Sequence, residues 1–240
     1  MHNEPLFKYP AGCRVARLIR REKRFFVHAL LDGRDVVAHT NNTGSMLGLL
    51  RPSAPLLLSP AQNPARRLKW TAEAVGMGNG ERFFWAGINT AVPNALLGEL
   101  FRRELLPWAA GYSRLRREAA CGESRIDGLI TGEGLPDLWV ECKNVTLVED
   151  GAAAFPDAVT ERGAKHLRTL ERLCAEGSRA AMLYVIQRPD GKCFRAADYV
   201  DPAYAAALAR AAGNGVEVHP LVVDVRGDGI YYGGEIPFRP

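Results

Sequence analysis

Long apolar runs are missing from this 240-residue chain. Nothing in it approaches the ~18 consecutive apolar residues that span a bilayer. The N-terminal stretch MHNEPLFKYPAGCRVARLIR has no uninterrupted apolar segment of the secretory kind. A cytoplasmic protein with no membrane partner is expected. Cysteine is sparse: Cys13, Cys121, Cys142, Cys174 and Cys193 are scattered, with no C-x-x-C and no His pair at zinc-ligand spacing. That excludes a structural zinc site and a disulfide framework, and leaves five reduced thiols, most of them packed as small apolar residues. No internal repeat and no low-complexity tract is present. The dinucleotide fingerprint G-x-G-x-x-G is missing too. The run GMGNG (Gly76–Gly80) has no βαβ unit around it and reads as a hairpin turn.

The chain is 47% hydrophobic and 24% charged, enough apolar material to bury a core. Its net charge of +4 is unevenly spread. Residues 1–88 hold 13 Lys and Arg against 6 Asp and Glu, a net +7, and residues 89–240 hold 18 against 21, a net −3. A basic N-terminal third suits a polyanion such as nucleic acid, or is simply a soluble basic surface.

The first ~85 residues read as short strands broken by Gly and Pro, with a hairpin at Asp32-Gly33. A basic all-β module of this size suits a small barrel of the OB type. A helix is predicted over VPNALLGELFRRELLPW, where Leu96, Leu97, Leu100, Phe101 and Leu105 recur at helical spacing and Pro107 ends it. Three strands follow in SRLRREAA, SRIDGLIT and LWVECKNVTLV. Then comes a helix in TERGAKHLRTLERLCAEG, with Thr160 as its N-cap and Gly177 as its stop. RAAMLYVIQ is a buried strand, followed by an Ala-rich helix, a strand in VEVHPLVVDV and a short hairpin. From residue 91 the order is αβββαβ, then αβ. The expected division is 1–85 for the barrel and 86–240 for an α/β (α+β) domain.

Charge stands where buried strands should have none. Glu141 and Lys143 are two residues apart and share a strand face, while Cys142 points the other way. Asp127 lies 14 residues before Glu141, room for a hairpin that brings the two acids together, and Glu118 is one strand earlier. Two adjacent carboxylates resist joint ionisation unless a cation compensates. Oxygen-only ligands fit Mg²⁺ or Mn²⁺. A lysine beside them can orient a water or stabilise a phosphorane-like transition state. The competing reading is a structural ion pair, with Lys143 bridging Asp127 and Glu141. The αβββαβ order, the core of the PD-(D/E)XK nucleases, brings the metal-site reading level with the ion pair.

The chain also resembles the sugar fermentation stimulation protein A (SfsA) family. The resemblance rests on KRF (Lys23–Phe25), AHTNNTGSM (Ala38–Met46), INTAVPN (Ile88–Asn94), GYSRLRRE (Gly111–Glu118), SRID (Ser124–Asp127), VECKNVTL (Val140–Leu147) and FPDAVTERGAKHL (Phe155–Leu167). These run in order along nearly the whole chain. The resemblance implies an N-terminal OB-like domain, a C-terminal PD-(D/E)XK nuclease-like domain, DNA binding, and a regulatory role in sugar (maltose) metabolism. The chain departs from the family pattern at Asn41, Cys142 and Asn144, and keeps Asp127, Glu141 and Lys143.

Two functions are therefore expected as alternatives: Mg- or Mn-dependent hydrolysis of DNA phosphodiesters, or non-catalytic DNA binding by a regulator. In the first, Lys143, Asp127 and Glu141 are catalytic, and Asp127, Glu141 and Glu118 hold the metal. Candidate DNA contacts are Arg20, Arg21, Lys23 and Arg24 on the barrel, Asn42 and Thr43 in a polar turn, Arg125 in SRID, and Arg162, Lys165 and His166 on the helix. The turn residues are equally read as an Asx turn with Gly44, and the helix residues as a solvated face. Phe25 and Phe26 offer a stacking surface or fill the core, the core being the expected place. Asn89 and Asn94 are expected to cap or tie the domain junction, and Glu99 is a further carboxylate considered for the metal.

Overall fold

A computed structural model describes residues 4–122 and 124–240. In chain order the elements are β1 (Phe7–Lys8), β2 (Arg14–Glu22), β3 (Phe26–Leu31), β4 (Arg34–His39), β5 (Pro55–Pro60), β6 (Trp70–Met77), β7 (Phe84–Gly87), α1 (Val92–Arg102), β8 (Arg114–Cys121), β9 (Ser124–Thr131) and β10 (Leu138–Val145). They continue with β11 (Leu147–Glu149), β12 (Ala152–Phe155), α2 (Glu161–Ala175), β13 (Arg179–Ile186), β14 (Cys193–Ala196), α3 (Pro202–Gly213), β15 (Glu217–Val225) and β16 (Gly229–Glu235). No helix among the described residues is long and apolar enough to cross a membrane.

Strands β2 to β6 curl into the expected barrel. β4 closes it by pairing with β6 at Ala38–Trp70 and His39–Thr71. The expected hairpin forms at Asp32 and Gly33, both with positive φ, as a two-residue turn between twisted strands requires. The core holds Leu18, Val27, Ala29, Leu56, Leu58, Val75 and Ile88. On β3 the alternation sends Val27, Ala29 and Leu31 inward and Phe26, His28 and Leu30 outward. Phe25 and Phe26 are therefore 44% and 36% exposed, and the core expectation for them is wrong.

The C-terminal sheet runs β7-β15-β13-β10-β9-β8, with β10, β13 and β15 parallel and β8 and β9 antiparallel at the edge. α1 covers one face, its Leu96, Leu97 and Leu100 against Val140, Cys142 and Leu183. α2 and α3 cover the other, with Leu167, Leu170, Tyr204 and Leu208 against Trp139, Met182 and Tyr184. β10 is thus buried on both sides, and its polar residues Glu141 and Lys143 point toward α2. The barrel and this sheet are not separate, because β7 pairs with β6 on one side and with β15 on the other.

Two elements differ from expectation. α1 stops at Arg102, five residues before Pro107, because Glu104 takes a left-handed backbone (φ 57) and Leu105 N–H returns to the Leu100 carbonyl at 2.9 Å. That is a Schellman-type stop on a residue other than glycine. The segment expected to run as one strand to Val148 breaks after Val145, and β11 joins β12 and β14 in a second small sheet. Thr160 caps α2 as expected, accepting from Gly163 N–H at 3.1 Å.

Candidate active site

A cleft of about 760 Å³ opens where the barrel loops face the sheet. One wall is built by β9, β10 and the start of α2. β9 and β10 pair regularly up to Gly128–Val140. The next pair in that register would set Asp127 against Glu141, but there the strands part. The Asp127 side chain takes over: its Oδ2 accepts Cys142 N–H at 2.8 Å, and its Oδ1 accepts Asn94 Nδ2 at 2.9 Å. The same Asn94 amide donates to Glu118 Oε1 at 2.5 Å. Glu118 sits across β8 from Asp127 in a left-handed conformation (φ 52), a backbone state that costs a non-glycine residue about 1–2 kcal/mol.

Glu141 is 2% exposed. Its Oε1 accepts from Lys143 Nζ at 2.6 Å and from His166 Nδ1, and Lys143 Nζ is 3.5 Å from the same imidazole nitrogen. Its Oε2 is buried with no hydrogen-bond partner among the described residues. A carboxylate oxygen left unpartnered inside a protein is costly, and such groups are met by ordered water, an ion or a catalytic role. The two acids are displaced in opposite directions. Burial, aided by the Glu141 charge, pushes Asp127 up to about 6. Burial also pushes Glu141 up, but its bonds to His166 and Lys143 together outweigh this and hold it below its ordinary value.

The opposite wall comes from the barrel. Asn42 Oδ1 accepts Gly44 N–H at 2.9 Å, so Asn42-Thr43-Gly44 is an Asx turn. Arg21 braces it, donating to the carbonyls of Gly44, Asn42 and Arg24 at 2.7, 2.6 and 2.9 Å. Asp157, just before α2, clamps the turn to the C-terminal wall. Its Oδ2 accepts Met46 N–H at 2.8 Å and its carbonyl accepts Ser45 Oγ at 2.5 Å. A Cβ on Gly44 would fall 2.5 Å from Asp157 Oδ1, so only glycine allows this approach. A polar chain ties the junction behind the cleft. Asn144 accepts from Gln187, which donates to the Asn89 carbonyl at 3.1 Å, and Asn89 Oδ1 accepts from Asn41 at 2.7 Å. Asn41 and Asn144 are two of the positions noted above as departures, and here they are two ends of one network.

Of the sequence-predicted residues, Asp127, Glu141, Lys143, Arg21, Arg24, Asn42, Thr43 and Arg162 line the cleft. His166 is buried behind Glu141, with its Nε2 3.5 Å from Arg162 Nε. Glu118 reaches the site through Asn94. Arg20 is exposed and bonds Glu22, Lys23 lines a separate hollow on the barrel, and Arg125 and Lys165 are exposed outside the cleft. Glu99 is not a site carboxylate: it is held by Arg102 at 2.6 Å and by Arg103, and its acid is lowered to about 2 mainly by the Arg102 bond. Asn94 is not a junction cap but the link between Asp127 and Glu118, and the roles of Asp157 and Gly44 escape a sequence reading altogether. Among the described residues no three His, Cys, Asp or Glu side chains converge as a ready-made metal cluster.

A basic OB barrel fused through one sheet to a restriction-endonuclease-like α/β domain defines a class of two-domain, nuclease-like proteins. Residues 19–88 match the SfsA N-terminal OB domain and residues 91–229 match the sugar fermentation stimulation protein RE domain. The chain belongs to the SfsA family. It is 54% identical over 232 residues to a sugar fermentation stimulation protein homolog of Maridesulfovibrio salexigens, covering 95% of both chains. It is 44% identical over 251 residues to the homolog of Lawsonia intracellularis, covering 95% of this chain and 96% of that one. Its fold is similar to that of Pyrococcus furiosus SfsA, solved in complex with Ca²⁺, with a TM-score of 0.88 and 26% identity over 99% of this chain and 100% of that one.

Proposed function

We propose that the cleft hydrolyses DNA phosphodiester bonds with a divalent cation, Mg²⁺ or Mn²⁺, held by Asp127 and Glu141. The observation that carries this reading is the buried, partnerless Glu141 Oε2 beside a second, strongly perturbed acid. Two carboxylates suffice for such an ion, because Mg²⁺ keeps several waters and takes its remaining ligands from substrate phosphate. The Ca²⁺ of the Pyrococcus relative supports an oxygen-ligated cation in this fold. Such a cation supplies Lewis-acid polarisation and charge neutralisation at the scissile phosphate.

The chain's own residues do the rest. Lys143 orients the attacking water and offsets the charge that develops on the phosphoryl oxygens. His166 fixes Glu141 from behind, and Asn94 fixes Asp127. Arg24 and Arg162 offer cations to the DNA backbone on either side.

A second reading, DNA binding without cleavage, is favoured by one observation: Lys143 and His166 are both committed to Glu141 Oε1, as in a closed structural cluster. One experiment separates the two. Purified protein is incubated with plasmid and with short DNAs in Mg²⁺ or Mn²⁺. Cleavage by the wild type and none by Lys143→Ala supports hydrolysis. Equal cleavage by both sinks it, and salt-dependent binding with no cleavage in any metal supports the second reading.

A further inference from the structure

The barrel carries a second hollow, of about 670 Å³, apart from the carboxylates. Its floor is the outward face of β3 and β4, with Phe26, His28, Val37 and His39. Its rims are the β2–β3 turn, which brings Lys23, and the long β5–β6 loop, which brings Arg67. Phe25 lies next to this floor, its ring plane within 4° of the His39 ring and the centroids 6.5 Å apart. Exposed Phe25 and Phe26 thus stand beside half-buried His39 on the outward face of the sheet. Lys23 and Arg67 form no side-chain hydrogen bond or ion pair among the described residues, while the groove's one acid, Glu22, is balanced by Arg20 at 3.2 Å and His28 at 3.0 Å. The middle strands of an OB barrel and the loops at their ends are where this fold takes oligomeric ligands. The lone cations and the +7 charge of residues 1–88 favour a polyanion over a neutral oligosaccharide.

The turn between β2 and β3 divides this groove from the cleft. Its first two residues, Lys23 (φ 47) and Arg24 (φ 62), are both left-handed, and they face different hollows: Lys23 the groove, Arg24 the cleft. Bases inside a duplex cannot reach a flat aromatic floor, whereas unpaired bases can stack on it. We infer that the groove binds unpaired nucleotides of DNA, stacking bases on Phe26 and His39 and pairing phosphates with Lys23 and Arg67, so that the protein acts on single-stranded or frayed DNA. The substrate assignment rests on the proposed hydrolytic function; the binding site itself does not.

The test uses the full-length protein as the Lys143→Ala variant in EDTA, so that no DNA is cut. Fluorescence anisotropy compares an oligothymidylate of about 15 nucleotides, near the upper site size of one OB fold, with a blunt duplex of equal length. The oligothymidylate is expected to bind more tightly. Adding Phe26→Ala and His39→Ala is expected to weaken it about tenfold or more, as for loss of base stacking, and to leave duplex binding unchanged. Lys23→Gln with Arg67→Gln, on exposed loops that do not threaten folding, is expected to flatten the salt dependence by a slope of about 1.4 for two lost phosphate contacts. The inference is overturned if duplex and oligothymidylate bind equally, if the aromatic pair is dispensable, or if a neutral glucan oligosaccharide displaces the probe. Oligothymidylate binding without cleavage in any metal sinks the hydrolytic function alone. Cleavage of duplex without oligothymidylate binding sinks this inference alone.

Discussion

The two walls of the cleft treat charge in opposite ways. On the barrel wall it serves the fold. The Arg21 guanidinium is committed to three backbone carbonyls, and the barrel's Met46 N–H is held by Asp157 from the opposite wall. On the sheet wall charge is left unfinished. Glu141 keeps one oxygen without a partner, and Asp127 holds its proton well above the ordinary carboxylate range. A residue's presence in a cleft is therefore not enough to make it functional; what matters is what its surroundings leave undone. Glu141 on β10 keeps an oxygen free among the described residues, and Asp127 on β9, though both of its oxygens accept hydrogen bonds, is left with a raised acid; the proposed chemistry draws on these two, with the barrel turn as its frame.

The sharpest way to break this contrast is on the sheet wall. Glu141→Gln should lower cleavage by about 10²–10⁴-fold and abolish Mn²⁺ binding by calorimetry, whereas a purely structural cluster would leave Mn²⁺ binding absent in both proteins. His166→Ala, one bond further out, should cost about 10–100-fold in metal affinity.

The pH dependence of stability comes next. The folded Asp127 holds its proton more tightly than the unfolded residue does, with an acid near 6 against an ordinary value near 4. Its contribution to the metal-free fold is thus complete below about pH 4 and lost as pH rises through about 6. Glu141, displaced downward, acts oppositely and is lost only as pH falls below the ordinary carboxylate range. Denaturant unfolding in EDTA should show the Asp127 dependence, and Asp127→Asn should remove it. Saturating Mn²⁺ should reverse it, because the cation prefers the ionised acid.

The barrel wall should respond in stability and not in chemistry. Gly44→Ala drives a Cβ against Asp157 and should destabilise the protein by about 1–3 kcal/mol, read as a fall in denaturation midpoint. Arg21→Lys cannot reproduce a three-carbonyl brace and should cost about 1 kcal/mol with no change in the salt slope of DNA binding. Arg24→Gln should do the reverse, leaving stability unchanged and reducing the slope by about 0.9 on duplex DNA. An equal slope change in both variants would show that the brace also contacts DNA.

Much of the sheet wall was legible because strand parity is a local property. Glu141 and Lys143 had to share a face, and the hairpin length brought Asp127 to them. The OB barrel was legible for the same reason, from short strands and turn residues. The frame was not legible, because it is made of contacts across 48 and 111 positions that carry no periodic signal: Asn41 to Asn89, and Met46 to Asp157. Phe25-Phe26 misled through composition, since two phenylalanines suggest a core, yet Val27, Ala29 and Leu31 already filled the inward positions of that strand. Glu99 could have been resolved from sequence alone, because Arg102 and Arg103 stand three and four residues on and pre-empt it.

β7 is only four residues long, yet it is the rib on which the two domains hang. β7 meets β6 over four residue pairs but β15 only at Trp85–Val225, so swinging the barrel away from the sheet would break that pairing and the Asp157 hold on the Met46 N–H. A barrel cut from its partner would expose a raw strand edge that invites pairing with another chain. The protein is thus two domains by sequence and one sheet by hydrogen bonding.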